Sequence, residues 1–306
     1  MKMILIDAVS RSRAFFIIKT MTTQKATETV NIRGVNHYYE WVRQPSTNQK
    51  KPVLVFIHGW GGSGRYWKST ATALSDRFDC LLYDIRGFGR SRLPENHSLT
   101  FDMEEYVEDL ALLLDQFNLE QVYLNAHSMG ASFATLFITR YPEKVKGAIL
   151  TCSGIFEYNP ITFNLFHLAG TYVVKLRFNW FSNLPTMDRL FMARFLHRPI
   201  PAAERKAFLE DYLLADEAAA AGTIYTAVSK HAATVMPEAF AQISVPTLLV
   251  AGEKDIIIPT RLARKAASLN PDQIEYFELP KTAHFPMLED APNYLDKIRQ
   301  FLSRIQ

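Results

Sequence analysis

Among the residues able to do chemistry, a serine set between small neighbours stands out. In Ala126-His127-Ser128-Met129-Gly130 the apolar run Val122-Tyr123-Leu124 leads into the serine, and the helix-forming run Ala131-Ser132-Phe133-Ala134-Thr135-Leu136 leaves it. The pattern predicts a strand, a very sharp turn and a helix, with Ser128 at the apex. So tight a turn needs small residues two positions before and after the serine, because larger groups would strike neighbouring backbone. The N–H of Met129, at the start of the helix, would then face any negative oxygen formed beside the hydroxyl. A serine hydroxyl is a poor nucleophile at its own pKa, so it needs a base and a group to orient that base. Two late segments offer them. Asp255, in Gly252-Glu253-Lys254-Asp255, follows a strand-like run and precedes Ile256-Ile257-Ile258-Pro259, and His284 stands in Ala283-His284-Phe285-Pro286 after the last such run. Asp255 could instead cap a helix beginning near Thr260. Glu253 is the weaker carboxylate, lying closer to the strand end. His127 is expected to pack, since neighbours on a strand point to opposite faces. His97, His197 and His231 have no motif around them.

A glycine cluster, His58-Gly59-Trp60-Gly61-Gly62-Ser63-Gly64, follows the apolar run Val53 to Ile57. Such a loop can cradle a phosphate, but it lacks the Gly-Lys-Ser/Thr ending of a P-loop and the spacing of a dinucleotide fingerprint. Beside a serine nucleophile it reads as the second half of an oxyanion hole, with the backbone N–H of Trp60 as donor and His58 fixing the loop. Asp84-Ile85-Arg86-Gly87-Phe88-Gly89-Arg90-Ser91 reads as a braced turn, its side chains serving backbone groups.

These residues need elements to bring them together. Alternation over Thr27 to Arg33 and His37 to Val42, separated by Gly34, predicts an antiparallel hairpin. Dense apolar runs follow at Pro52 to Ile57, Phe78 to Tyr83, Val122 to Ala126, Gly147 to Cys152 and Val245 to Gly252, with a further strand-like run at Gln273 to Leu279. Runs without alternation suit central strands of a parallel sheet covered on both faces. Helical stretches, Met103 to Phe117 and Ser128 to Tyr141 among them, lie between. The expected fold is α/β: a doubly wound, mostly parallel eight-stranded sheet with helices on both faces. Loops at the carboxyl ends of its strands share one edge, where Ser128, Asp255 and His284 can converge. The alternation stops at residues 155–242, where helix formers dominate and aromatic residues are dense. That segment is expected to form a helical lid inserted into a core of residues 25–154 and 243–306, and Phe156, Phe163 and Phe166 are candidate substrate contacts.

With 306 residues, 48% of them hydrophobic, 21% charged and a net charge of +3, the chain is ordinary for a soluble globular protein and too weakly basic to argue for nucleic acid. Zinc-type Cys/His spacing is lacking. Cys80 and Cys152 lie at or near the ends of apolar runs and are expected to be free, buried thiols. No apolar segment approaches the roughly 20 residues needed to span a bilayer. A cytoplasmic location is expected. Residues 1–24 are expected to form a poorly ordered extension, with Met21 as an alternative start.

His58-Gly59-Trp60, Asp84-x-Arg86-Gly87-x-Gly89-x-Ser91, Ala126-x-Ser128-x-Gly130, Gly252-x-x-Asp255-x-x-x-Pro259 and His284-x-Pro286 together resemble the α/β-hydrolase superfamily. The resemblance runs from about residue 25 to the C-terminus, least specifically in the lid. The order Ser, Asp, His agrees with that family's triad. The lid-bearing esterases, C–C bond hydrolases and epoxide hydrolases are the most similar branch; Ser128 counts against the epoxide hydrolases, whose elbow carries an aspartate. Ala126 departs from the usual first glycine by one methyl group. The resemblance implies a hydrolase that cleaves a small apolar ester, thioester or lactone through Ser128, His284 and Asp255, needing neither metal nor organic cofactor. A C–C hydrolase, a cofactor-free oxygenase or haloperoxidase, and a ligand receptor built on the same scaffold are the competing implications.

Overall fold

A computed structural model of the protein describes residues 28–44 and 51–306; the N-terminal extension expected over residues 1–24 lies outside them. Eight strands form one sheet: β1 (Thr29–Ile32), β2 (Val35–Val42), β3 (Val53–Ile57), β4 (Asp79–Tyr83), β5 (Val122–His127), β6 (Val145–Thr151), β7 (Thr247–Gly252) and β8 (Ile274–Leu279). Their spatial order is β1-β2-β4-β3-β5-β6-β7-β8. The β1–β2 hairpin enters antiparallel, and every pair from β4 onward is parallel. Eleven helices connect and cover the sheet among the described residues: α1 (Lys68–Leu74), α2 (Met103–Gln116), α3 (Met129–Arg140), α4 (Pro160–Lys175), α5 (Met187–Met192), α6 (Ala202–Leu214), α7 (Glu217–Ala227), α8 (Lys230–Ala241), α9 (Thr260–Ala267), α10 (Pro286–Glu289) and α11 (Ala291–Ile305). None is long and apolar enough to cross a membrane.

The unbroken apolar runs make sense once both sheet faces are seen to be covered. Successive side chains of a strand point to opposite faces. Val55 and Ile57 of β3 accordingly join a core with α2, α3 and α8, while Leu54 and Phe56 of the same strand join a second core with α1 and α11. Alternate residues of β5, β6 and β7 divide in the same way. The sheet is thereby held from both sides, and the edge formed by its carboxyl ends becomes a fixed platform.

Helices α4 to α8 lie between β6 and β7, where no strand was expected. All five fall within residues 155–242, the expected insertion. Ala232, Met236, Ala239 and Phe240 of α8 are buried in the same core as α3, a core that Ala219 and Ala220 of α7 and Val174 of α4 join too. The apolar positions of α8 recur at helical spacing like those of any core helix.

Candidate active site

The chain changes from strand to helix at a single residue. Ser128 donates its backbone N–H to Thr151 at 2.9 Å, extending the β5–β6 ladder, and its carbonyl accepts from Ala131 and Ser132, beginning α3. This forces a positive φ of 53° with ψ at −121°, a backbone state that costs a non-glycine residue about 1–3 kcal/mol. The helix leaves so steeply that a Cβ at Gly130 would lie 2.3 Å from the His58 carbonyl oxygen. A Cβ at Gly59 would likewise lie 3.1 Å from that of Ser128. Ala126, at the position usually held by a glycine, is fully buried with room for its methyl group.

Asp255 and His284 are delivered by two loops that are zipped together. Glu253 donates its N–H to Leu279, and Lys254 donates to Thr282, across the ends of β7 and β8. His284 then meets Asp255, Nδ1 to Oδ2, at 2.7 Å, and its Nε2 stands 3.1 Å from Ser128 Oγ. The other carboxylate oxygen of Asp255 accepts the N–H groups of Ile257 and Ile258 at 2.8 and 3.1 Å. Burial pushes the Asp255 pKa up, but His284 and these N–H groups outweigh it, leaving the carboxyl below its ordinary value. Asp255 is therefore a committed acceptor that fixes the Nδ1–H tautomer of His284. Glu253, the alternative carboxylate, points elsewhere, accepting from the Lys281 N–H at 2.8 Å and pairing with Lys254.

A buried relay sits beneath these three residues. The Gly59 N–H donates to Tyr66 Oη at 2.5 Å, Tyr66 meets His127 Nδ1 at 2.9 Å, and His127 Nε2 meets the His284 carbonyl at 2.7 Å. A carbonyl can only accept, so Nε2 carries the His127 proton and Nδ1 accepts from the tyrosine. Burial, with His284 adding to it, holds the His127 pKa well below its ordinary value. His127 is a neutral strut between the glycine loop and the histidine loop. His58 also braces backbone: its Nε2 accepts from Ile85 at 2.8 Å, its Nδ1 meets the Gly59 carbonyl at 2.8 Å, and burial lowers its pKa to about 4. Asp84 supports the same loop from the other side, accepting from Gly64 and Arg90, and Arg86 is buried against Asp109.

Trp60 follows Gly59 in this braced loop, and its indole N–H donates to the Ala220 carbonyl of α7 at 3.0 Å. Its side chain is thus committed to the inserted helices. Met129 opens α3, and the first N–H groups of a helix have no carbonyl in a preceding turn. Both residues line a cavity of about 270 Å³ together with Ser128 and His284. Its walls are mostly apolar, with Phe156, Phe166, Val173, Phe195 and Phe208 prominent. Phe156 and Phe166, two of the candidate substrate contacts, are among these lining residues. Phe163, the third candidate, lines a neighbouring cavity of about 300 Å³ that Phe156 and Phe166 also border, and packs on His167 at 3.7 Å between ring centroids. Phe163 and Phe166 are three residues apart, about 60° round the helix, so both border this second cavity while Phe166 reaches the first as well.

Several residues of the site gave no signal in the sequence. Glu289, buried in α10, accepts the N–H of Ala283 at 2.8 Å and that of Phe285 at 3.3 Å, so it clamps both neighbours of His284. It also accepts from His197 and Arg198, tying the inserted segment to the same point. Asp211 of α6 binds Ser63 Oγ at 2.5 Å and takes a forked pair from Arg65, joining the insertion to the glycine loop. Of the histidines without a motif, His231 pairs with Glu104 at 2.7 Å on the surface.

Both cysteines are free and buried. Cys152 also borders the cavity; burial and the nearby Asp255 push its thiol pKa well up, which keeps it protonated and unreactive. His127, Cys152 and His284 offer atoms within 4.8 Å of one another, the one grouping of metal-ligand type among the described residues. Every ring nitrogen in it is already engaged by Tyr66, a backbone carbonyl, Asp255 or Ser128, so the donor set fits a hydrogen-bond relay better than a cation.

Comparison with known proteins agrees with this architecture. Over 305 residues the chain is 26% identical to Protein PHYLLO, chloroplastic, of Arabidopsis thaliana; the match covers 90% of this chain but only 17% of that much longer protein. It is 27% identical to the cis-3-alkyl-4-alkyloxetan-2-one decarboxylase of Shewanella oneidensis, covering 84% of each chain. Among solved structures, a putative lipase from Acinetobacter baumannii AYE superposes with a TM-score of 0.75 at 19% identity, covering 91% of both chains. The family model for the alpha/beta hydrolase fold matches residues 52–291, and the chain belongs to that family.

Proposed function

We propose that this protein is a serine hydrolase that cleaves carboxylic esters, or the related thioesters and lactones, of apolar substrates. The observation that carries the reading is the unbroken hydrogen-bond line from Asp255 through His284 to Ser128 Oγ. Ser128 Oγ attacks the substrate carbonyl carbon while His284 Nε2 takes the hydroxyl proton. The N–H groups of Met129 and Trp60 receive the developing oxyanion. His284 returns the proton to the leaving oxygen, and an acyl-enzyme remains on Ser128. Water, deprotonated by the same histidine, then attacks the acyl carbon; the bond to Ser128 Oγ breaks, His284 returns the proton to that oxygen and the acid departs. Asp255 holds the imidazole in one tautomer throughout and stabilises its charge.

The apolar walls of the cavity support an apolar acyl group. The name of the Shewanella relative, which describes an oxetan-2-one bearing two alkyl groups, points the same way. On a series of p-nitrophenyl esters, kcat/KM is expected to rise with acyl length, by up to about fourfold per methylene if each buried CH2 contributes about 0.8 kcal/mol. A flat or falling series would contradict the apolar acyl pocket.

A further inference from the structure

Helix α4 has an unusual surface. One side roofs the cavity through Phe166, Ala169, Gly170 and Val173. Another side carries Ile161, Leu165, Leu168 and Tyr172, whose exposures are 73%, 62%, 56% and 58%. At 3.6 residues per turn these four, with the exposed Leu176 that follows, fall within an arc of about 80°, roughly 100° round from the cavity face. Past the helix end, Phe178 and Trp180 are exposed as well. A surface helix normally turns polar residues outward, so a continuous apolar stripe of this length marks a surface that is covered in use.

The charges around the stripe identify what covers it. From Tyr158 to Met187 the sequence contains no aspartate or glutamate, while Lys175 and Arg177 lie in the same stretch. Acidic residues at its two ends are neutralised, Glu157 by Lys265 at 2.5 Å and Asp188 by Arg205 at 2.8 Å. Lys175, one turn beyond Tyr172 and beside the stripe, forms no ion pair with any described residue; Arg177, the next cation, gives its guanidinium to the carbonyls of Val174, Tyr212 and Ala215. Asp216 and Glu217, at the start of α7, lie near Arg177, at the far end of the stripe. Along α4 itself an apolar stripe with Lys175 at its margin and no acid in its own segment is complementary to a bilayer surface with anionic headgroups. It is a poor match to itself, because a two-fold dimer would set the same cationic margin against its own copy. Residues 1–27 are no better suited, since they contain five basic residues and one acidic residue.

We propose that the α4 face docks the protein onto anionic lipid bilayers, with the apolar side chains entering the headgroup boundary and Lys175 contacting phosphate. Docking in this orientation sets the roof of the cavity against the lipid. The test is flotation of the full-length protein with vesicles of phosphatidylcholine alone, or with phosphatidylglycerol at about one part in three. The wild type should float with the anionic vesicles and much less with the neutral ones. Leu165→Glu combined with Leu168→Glu should lower the bound fraction by about tenfold or more, and Lys175→Glu alone by about threefold, with thermal unfolding midpoints within about 2 °C of the wild type. These positions are outside the cavity, so folding and docking are read separately. Wild-type flotation of both variants would overturn the proposal, as would equal flotation on neutral vesicles or no flotation at all. So would a dimer, seen by light scattering, that the double substitution converts to monomer without altering flotation.

Discussion

Ser128→Ala is expected to lower kcat on an activated ester by about six orders of magnitude, with little change in KM. The size follows from the arrangement. Ser128 Oγ is the oxygen that stands 3.1 Å from His284 Nε2, so removing it leaves the base with nothing to deprotonate except water. What survives is the modest catalysis supplied by the cavity and the two N–H donors. Folding should be almost untouched, because the backbone bonds of residue 128 to Thr151, Ala131 and Ser132 do not involve the hydroxyl. The measurement is steady-state turnover on a p-nitrophenyl ester with the unfolding midpoint recorded in parallel. Activity within tenfold of the wild type in a variant that is fully folded would dismiss Ser128 as the nucleophile.

The second large effect is expected at Asp255→Asn, a loss of about four orders of magnitude in kcat. Its cause can be traced atom by atom. One carboxylate oxygen of Asp255 accepts two backbone N–H groups, from Ile257 and Ile258, and the other accepts from His284. An asparagine has one carbonyl oxygen, and two donors compete for it against one. The oxygen will remain with the two backbone groups, so the amide NH2 faces His284 Nδ1. That histidine must then accept at Nδ1 and carry its proton on Nε2, pointing at the serine it should deprotonate. Asp255→Asn should therefore retain substrate binding and lose turnover, and the loss should lessen at high pH, where hydroxide can replace the base. A decrease below tenfold would mean that the carboxylate does not orient His284.

The parts of this site that were legible in the sequence are those that announce themselves locally. Ser128 is flanked within two residues by the small groups its turn demands, and Asp255 and His284 each follow directly on a strand. Strand position, read from dense apolar runs, then fixes the shared edge, since parallel strands leave their carboxyl ends side by side. The supporting groups have no such signature. Ser63 and Asp211 lie 148 positions apart, and His127 reaches a carbonyl 157 positions away. Tyr66 and Glu289 are ordinary residues in ordinary helical settings until the tertiary fold buries them. The inserted helices fail for a different reason. Aromatic residues there mark apolar surfaces, but which cavity a ring borders, the second alone for Phe163 or both for Phe166, is decided by the tertiary packing of the helices. The exposed stripe on α4 has no sequence signature either, because helical spacing alone does not say which apolar face the tertiary fold covers.

The central claim, that Ser128 is a nucleophile activated by His284, is tested most directly by a fluorophosphonate probe on the native protein followed by peptide mass analysis. One equivalent of label should appear on the peptide containing Ser128, should form far more slowly in His284→Ala, and should be missing from Ser128→Ala. Label on another residue, or a folded wild type that takes up none, would contradict the account.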